Sequence, residues 1–126
     1  MNIVTIRLTD LRFYGYHGVM PQEAQVGNEF GVDVELDIPA HGLEQMVSEN
    51  KEDLDLTISY ADVFDIVKEE MGRRCELLET LAIRTAQRLT QTWPRIIGGR
   101  LRITKIAPPI PGCNGPASVT YTWTNP

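Results

Sequence analysis

The chain has 126 residues, of which 42% are hydrophobic and 23% charged. That length suits a single domain spanning residues 1–126. The composition supports a core of its own, which excludes a disordered chain and one that needs disulfides to fold. Twelve basic against 17 acidic residues leave a net charge of −5, the wrong sign for a nucleic-acid-binding surface.

No tandem repeat, low-complexity stretch or linker divides the chain. Residues 3–14, IVTIRLTDLRFY, are rich in β-branched and aromatic types and read as a strand. Arg7 and Asp10 interrupt this start, so it lacks a leader's apolar core, and no run in the chain approaches the ~18 apolar residues of a membrane span. The expectation is a cytoplasmic chain without a membrane partner. The segment GYHGVMPQEAQVGN, 15–28, carries three glycines and a proline and reads as a long functional loop. Next, Phe30, Val32, Val34, Leu36 and Ile38 alternate with Gly31, Asp33, Glu35 and Asp37. Strict period two with one acidic face is a half-buried strand. Residues 39–57 are polar and acidic and begin with Pro39, which predicts a connection with little regular structure.

Ser59 precedes Asp62 by three residues, a capping box with Asp in place of Glu. Tyr60, Val63, Phe64, Val67 and Met71 then recur at helical spacing, predicting a helix over 60–72 that Gly72 ends. A second helix is expected from Glu76 to Thr92, with Leu78, Leu81, Ala82, Thr85 and Leu89 on one stripe and Trp93-Pro94 closing it. After a Gly98-Gly99 turn comes a strand over about 100–106, with Leu101, Ile103 and Lys105 on one face and Arg100, Arg102 and Thr104 on the other. APPIPGCNGP, 107–116, is a rigid loop, and 117–124 is the last strand. The order is β-β-α-α-β-β. It predicts an α+β chain with a four-stranded antiparallel sheet and two helices on one face. Such a sheet has two open edges, a liability that closure against other copies into a barrel would remove.

Lys105 is out of place on an apolar strand face. It either snorkels out at the strand end or occupies a site. Glu79, in the first turn of the second helix, is favoured there by the helix dipole. Framed by Leu77, Leu78 and Leu81, it could also grip a planar pair of N–H groups bidentately. Tyr60 is either core packing or a ring that stacks on a flat ligand. Glu23 shares the glycine-bearing loop with His17, where a carboxylate is ordinarily solvated. Cys75, Cys113, His17 and His41 have no metal-ligand spacing, so no metal is expected and the thiols are expected free. No phosphate-binding GxxxxGK[ST] frame, GxSxG elbow or HExxH pair occurs.

Five blocks taken together, FYGYHGVMPQE (13–23), VGNEFGVDVEL (26–36), TISYADVF (57–64), LLETLA (77–82) and ITKIAPPIPG (103–112), resemble the dihydroneopterin aldolase family. They fall in that family's order and cover nearly the whole chain. The resemblance implies the tunnelling fold, in which tetrameric rings close a barrel and two rings stack into an octamer, with active sites between neighbouring subunits. It also implies roles position by position. Glu79 would bind the amino-pyrimidinone edge of a pterin, assisted by the main chain at Leu78. Tyr60 would come from the neighbouring subunit, with Ile58 and Ser59 beside the ring. Glu23 would organise the substrate hydroxyls and a water. Lys105 would be the central proton-transfer residue, and Val19 and His17 would line the entrance. The departures fall at Asn28, Ser59, Ile106 and Ala107 and in the PGCNGPAS tail. None removes a catalytic group, and Ser59 and Ala107 bear on substrate preference.

The implied reaction is retro-aldol cleavage of dihydroneopterin to hydroxymethyl-dihydropterin and glycolaldehyde in folate biosynthesis, with epimerase activity if glycolaldehyde re-adds on the other face. The dihydropterin ring has its own C=N bond to receive the electrons, so the resemblance implies no metal, cofactor or Schiff base. Two rivals remain open, a dihydroneopterin-triphosphate epimerase and a non-catalytic pterin-binding module. The first would use basic residues such as Arg12, Arg73, Arg74 and Arg102 to meet the triphosphate. A zinc-dependent pyruvoyl-tetrahydropterin synthase would need a histidine cluster that two histidines cannot supply.

Overall fold

A computed structural model describes residues 1–125. Strand β1 (Ile3–Gly15) is followed by a short helix α1 (Pro21–Val26) and strand β2 (Asn28–Pro39). Helix α2 (His41–Glu49) and a 3₁₀ turn (Leu54–Leu56) lead to α3 (Tyr60–Met71) and α4 (Leu78–Thr92), and strands β3 (Gly98–Lys105) and β4 (Ala117–Thr124) complete the chain. The sheet order is β1-β2-β3-β4 with every neighbouring pair antiparallel.

The alternation in β2 places Phe30, Val32, Val34, Leu36 and Ile38 wholly inside, beside Leu101 and Ile103 of β3. Helices α3 and α4 cover this face with Val63, Val67 and Met71 and with Leu81, Ala82 and Leu89. Each Val, Leu, Ile, Phe or Met among these contributes about 1.5–3 kcal/mol by leaving water. Ser59 caps α3 as the sequence indicates, its hydroxyl accepting the Asp62 N–H at 3.4 Å. The opposite face is polar, and Arg7–Glu35 at 2.6 Å and Arg102–Asp33 at 2.9 Å cross between strands there.

Strand β1 changes phase partway along. Leu8 pairs with Val34 and Leu11 with Val32, so Thr9 and Asp10 together oppose Asp33. Asp10 takes a φ of 56° in this bulge and donates its N–H to the Asp33 carboxylate at 2.9 Å. The inward set moves from Val4, Ile6 and Leu8 to Leu11 and Phe13, which lets one strand follow the twisted core along its whole length.

Two segments differ from the sequence reading. The expected loop 15–28 contains α1, which starts with Pro21 at its first position and Glu23 two residues on. The Glu23 carboxylate accepts the Met20 N–H at 3.2 Å, a helix-start signature that the surrounding glycines obscure. The expected irregular stretch 39–57 contains α2 and the 3₁₀ turn. Helix α2 has no side-chain cap, and its apolar Leu43, Met46 and Val47 are only half-buried or exposed, so no cap signal marks its start in the sequence.

Helices α3 and α4 are tied by a buried carboxylate. Glu70 is 1% exposed and accepts from Arg84 Nε at 2.6 Å, Arg88 Nη1 at 3.0 Å and Arg73 Nη1 at 3.2 Å. Burial pushes its carboxyl pKa up, but the bonds from Arg88 and Arg84 outweigh burial and hold it below the usual carboxylate range. Glu70→Gln keeps the shape and removes the charge that three guanidinium groups share. Urea unfolding should show a loss of about 1.5–3 kcal/mol, the size of hydrogen bonds to a charged group. A change below ~0.5 kcal/mol would mean that solvent already screens the cluster.

Candidate active site

Lys105 ends β3 on the face of Leu101 and Ile103, as the alternation requires, and it does not snorkel. Its ammonium lies 2.5 Å from the Glu23 carboxylate, with the two side chains only 12% and 7% exposed. The expectation of a solvated loop carboxylate is thereby corrected, because α1 folds over the strand end and carries Glu23 inward. Two ions withdrawn from water cost several kcal/mol each unless each meets the other with good geometry. A second oxygen of Glu23 takes the Met20 N–H. Gly18, at φ +149°, leaves the space for the carboxyl group, since a Cβ there would stand 2.3 Å from it.

The strand end bearing Lys105 is pinned by a residue that sequence reading gave no catalytic part. The Asn28 side chain donates to the Ala107 carbonyl at 2.6 Å and accepts the Ala107 N–H at 3.3 Å. These partners are 79 residues apart, and no local pattern could reveal them.

Glu79 opens α4 and is exposed, not desolvated in the single chain as its leucine neighbours suggest. It borders a groove of about 90 Å³ walled by Val119 and Tyr121 of β4. Val119 pairs with Ile103, two residues from Lys105 on the same strand face, or about 7 Å along the strand. The groove that Glu79 borders thus lies against the middle of β3, one step along the strand from the Lys105–Glu23 pair at its end. Leu78 is half-buried beside Glu79, and Val19 is exposed on the loop before α1.

Tyr60 is not in the core. It is 67% exposed at the first position of α3, with Ser59 exposed beside it and Ile58 buried behind. Helix α3 is 12 residues long, so its ends lie about 16 Å apart. Its far end, Met71, is the one that meets His17 near the Lys105 site. Within one chain, Tyr60, Ser59 and Ile58 are thus separated from Lys105, Glu23 and Glu79.

His17 does not line an entrance. It is 1% exposed, edge-on to Phe30, with Nδ1 3.0 Å from the Cys75 N–H and Nε2 2.8 Å from the Met71 carbonyl. This pairing selects the tautomer that is protonated at Nε2 and accepts at Nδ1. Burial lowers its pKa below the ordinary imidazole value, the bond to Met71 opposes this in part, and Arg84, Arg74 and Lys105 lower it further. Cys75 is buried and Cys113 exposed, both as free thiols. Among the described residues no three His, Cys, Asp or Glu side chains gather as a metal site would require.

Known proteins share this chain's sequence pattern and fold. The family model described as FolB, dihydroneopterin aldolase, matches residues 6–122. A dihydroneopterin aldolase of Staphylococcus epidermidis is 38% identical over 108 residues, covering 85% of each chain. One from Bacillus subtilis is 35% identical over 105 residues, covering 81% of this chain and 82% of its own. The crystal structure of E. coli dihydroneopterin aldolase in complex with neopterin superposes with a TM-score of 0.72 at 20% identity, over 96% of this chain and 99% of that one. A Burkholderia thailendensis dihydroneopterin aldolase bound to guanine gives 0.74 at 17% identity, over 98% and 93%. Those two structures share the fold.

The buried histidine makes stability depend on pH with a definite sign. Its folded pKa lies below the unfolded value near 6.5, so between the two the unfolded chain binds the proton more readily. Stability should therefore fall as pH drops below ~6.5. Glu70 contributes separately, its share being lost only as pH falls from the ordinary carboxylate range through its lowered folded value. Urea midpoints measured from pH 7.5 to 5 should decline in the natural chain and stay flatter in His17→Asn. A flat natural profile would contradict a buried neutral imidazole.

Proposed function

The chain belongs to the dihydroneopterin aldolase family, and we propose that it cleaves the C1′–C2′ bond of dihydroneopterin to give hydroxymethyl-dihydropterin and glycolaldehyde, with its active sites completed between copies. The observation that carries this reading is the buried Lys105–Glu23 pair at the end of β3. A buried ammonium beside a carboxylate sets a proton donor and a proton acceptor next to each other, which is what general acid–base chemistry needs.

The physical logic of the reaction is proton handling. A base takes the 2′-hydroxyl proton, the C1′–C2′ bond breaks, and its electrons enter the ring C=N bond to form an enamine. Glycolaldehyde leaves and C1′ is then protonated. The ring is itself the electron sink, so neither a Schiff base nor a metal is required for charge stabilisation. The Lys105 ammonium can give a proton and the Glu23 carboxylate can order the hydroxyls and a water. The Tyr60 hydroxyl supplies a further proton-transfer group from a neighbouring copy. The Glu79 carboxylate pairs with the amino and ring N–H groups of the pyrimidinone edge, an edge that guanine also presents. Leu78 offers its main chain to the same edge. Ile58 and Ser59 lie beside the ring on the neighbouring copy's side.

Two features support a shared site. Tyr60 lies too far from Lys105 within one chain, and a groove of about 90 Å³ is well under the ~300–1,000 Å³ of ordinary small-molecule sites. A second copy would supply both the missing wall and the missing tyrosine, and pairing at the open edges of β1 and β4 would bring it there. The triphosphate reading is weakened by the arginines. Arg12 is held by Asp10 and Glu29, Arg73 by Glu70, Arg102 by Asp33, and Arg74 by two backbone carbonyls. The reading places the enzyme in the cytoplasm, and no helix among the described residues is long and apolar enough to cross a membrane.

Incubation with dihydroneopterin should release glycolaldehyde and hydroxymethyl-dihydropterin, and EDTA should not change the rate. Lys105→Ala should depress kcat roughly 10²–10⁴-fold while leaving ring affinity nearly intact. Glu79→Gln should instead weaken ring binding by about 1–3 kcal/mol. Normal turnover in Lys105→Ala would remove the pair from the chemistry, and binding without turnover in the natural chain would leave a pterin-binding module.

Light scattering at micromolar concentration should give a subunit count divisible by four. A stable monomer with full activity would contradict the shared site.

A further inference from the structure

The turn between α3 and α4 and the end of β1 come from distant parts of the chain, yet they are laced together. Cys75 N–H donates to His17 Nδ1 and Gly18 N–H to the Cys75 carbonyl, both at 3.0 Å, while His17 Nε2 reaches the Met71 carbonyl at 2.8 Å. Arg74 closes the seam from outside with its planar fork, Nε to the Tyr16 carbonyl and Nη2 to the Gly18 carbonyl, both at 3.0 Å. Arg74 is exposed and fills no core space. Its bonds go to carbonyls, not to Glu23 or Lys105.

What the seam holds is nevertheless the site. On one side, the Gly18 backbone packs directly against the Glu23 carboxyl group, where a Cβ would clash at 2.3 Å. On the other, the turn runs on into Leu78 and Glu79. A guanidinium that bridges two carbonyls fixes their separation and orientation, which a single ammonium cannot do. A misplacement of about 1 Å in a catalytic array can cost 10²-fold in rate.

We propose that Arg74 is a positioning residue, whose guanidinium, with His17 behind it, sets the Glu23 carboxylate against Lys105 and at a fixed distance from Glu79. The proposal rests on the retro-aldol reading above, and Arg74 acts on that reaction through Glu23.

A double-mutant cycle separates this from a structural role. kcat on dihydroneopterin is measured for the natural chain, Arg74→Ala, Glu23→Gln and the double variant. Affinity for 6-hydroxymethylpterin is titrated alongside. Arg74→Ala should lower kcat roughly 10–100-fold with ring affinity within ~3-fold. In the Glu23→Gln background the same change should cost less than ~2-fold, because the group it acts through is gone. Arg74→Lys, which keeps the charge but not the fork, should behave like Arg74→Ala, and it takes that place in the cycle if Arg74→Ala fails to fold by circular dichroism. Additive losses, natural kcat in Arg74→Ala, or full rescue by Arg74→Lys would each overturn the proposal. If Glu23→Gln itself keeps natural kcat, the retro-aldol role of the pair falls first and the clamp with it. A large Glu23→Gln loss beside additive Arg74→Ala sinks the clamp alone.

Discussion

An ammonium and a carboxylate withdrawn from water must satisfy each other, and much of this chain is arranged so that Lys105 and Glu23 do. The demand is geometric. Lys105 arrives on the apolar face of a strand, so its partner has to be brought over that face from elsewhere. Helix α1 does this, and its own N-terminus is completed by the same carboxylate through Met20. Gly18 leaves room for the carboxyl group, and Asn28 fixes the strand end from the other side. Remove any one of these and a charge is left buried with poor partners, the costly outcome for an ion in a protein interior.

A second buried carboxylate serves the first at a distance. Glu70 collects Arg73, Arg84 and Arg88, and Arg84 also binds the carbonyls of Glu70 and Arg73. The result is a stiff junction between α3 and α4. The turn it stiffens is the one that His17 and Arg74 fasten to the strand end beside Glu23. The Glu70 cluster on one side of this turn and the backbone bonds of Arg74 and His17 on the other therefore hold the segments from which Glu79 and the Gly18 loop extend.

The same frame keeps Tyr60 away. It begins the helix whose other end meets His17, so no side-chain rotation within the chain can carry its hydroxyl to Lys105. A single copy holds the Lys105–Glu23 pair and the Glu79 carboxylate, and it presents the exposed Tyr60 at a different corner. Open sheet edges and a half-built groove follow the same logic, because each is satisfied by a neighbour more readily than by the chain itself.

Much of the architecture was legible in the residues. The alternation of Phe30 to Ile38, the Ser59 cap and the stripe from Leu81 to Leu89 are local periodic signals, and each marks the element that forms. The family blocks pointed to Lys105, Glu23, Glu79 and Tyr60 as a set. Local signals failed where the determinant was not local. Helix α2 has no side-chain cap and lays Leu43 only partly on the core, α1 is masked by glycines, and the bulge that shifts the phase of β1 is held by Asp33 from the neighbouring strand. Composition could not decide whether Lys105 snorkels, whether Glu23 is solvated, or whether His17 faces solvent or the interior. Those questions turn on which distant segment covers a side chain, and burial of a charge or an imidazole is settled by partners 54 to 82 residues away. The sequence by itself determined the sheet, its two covering helices and the chemical groups. The tertiary structure alone decided which of those groups leave water together, because desolvation depends on neighbours in space and not on neighbours in the chain.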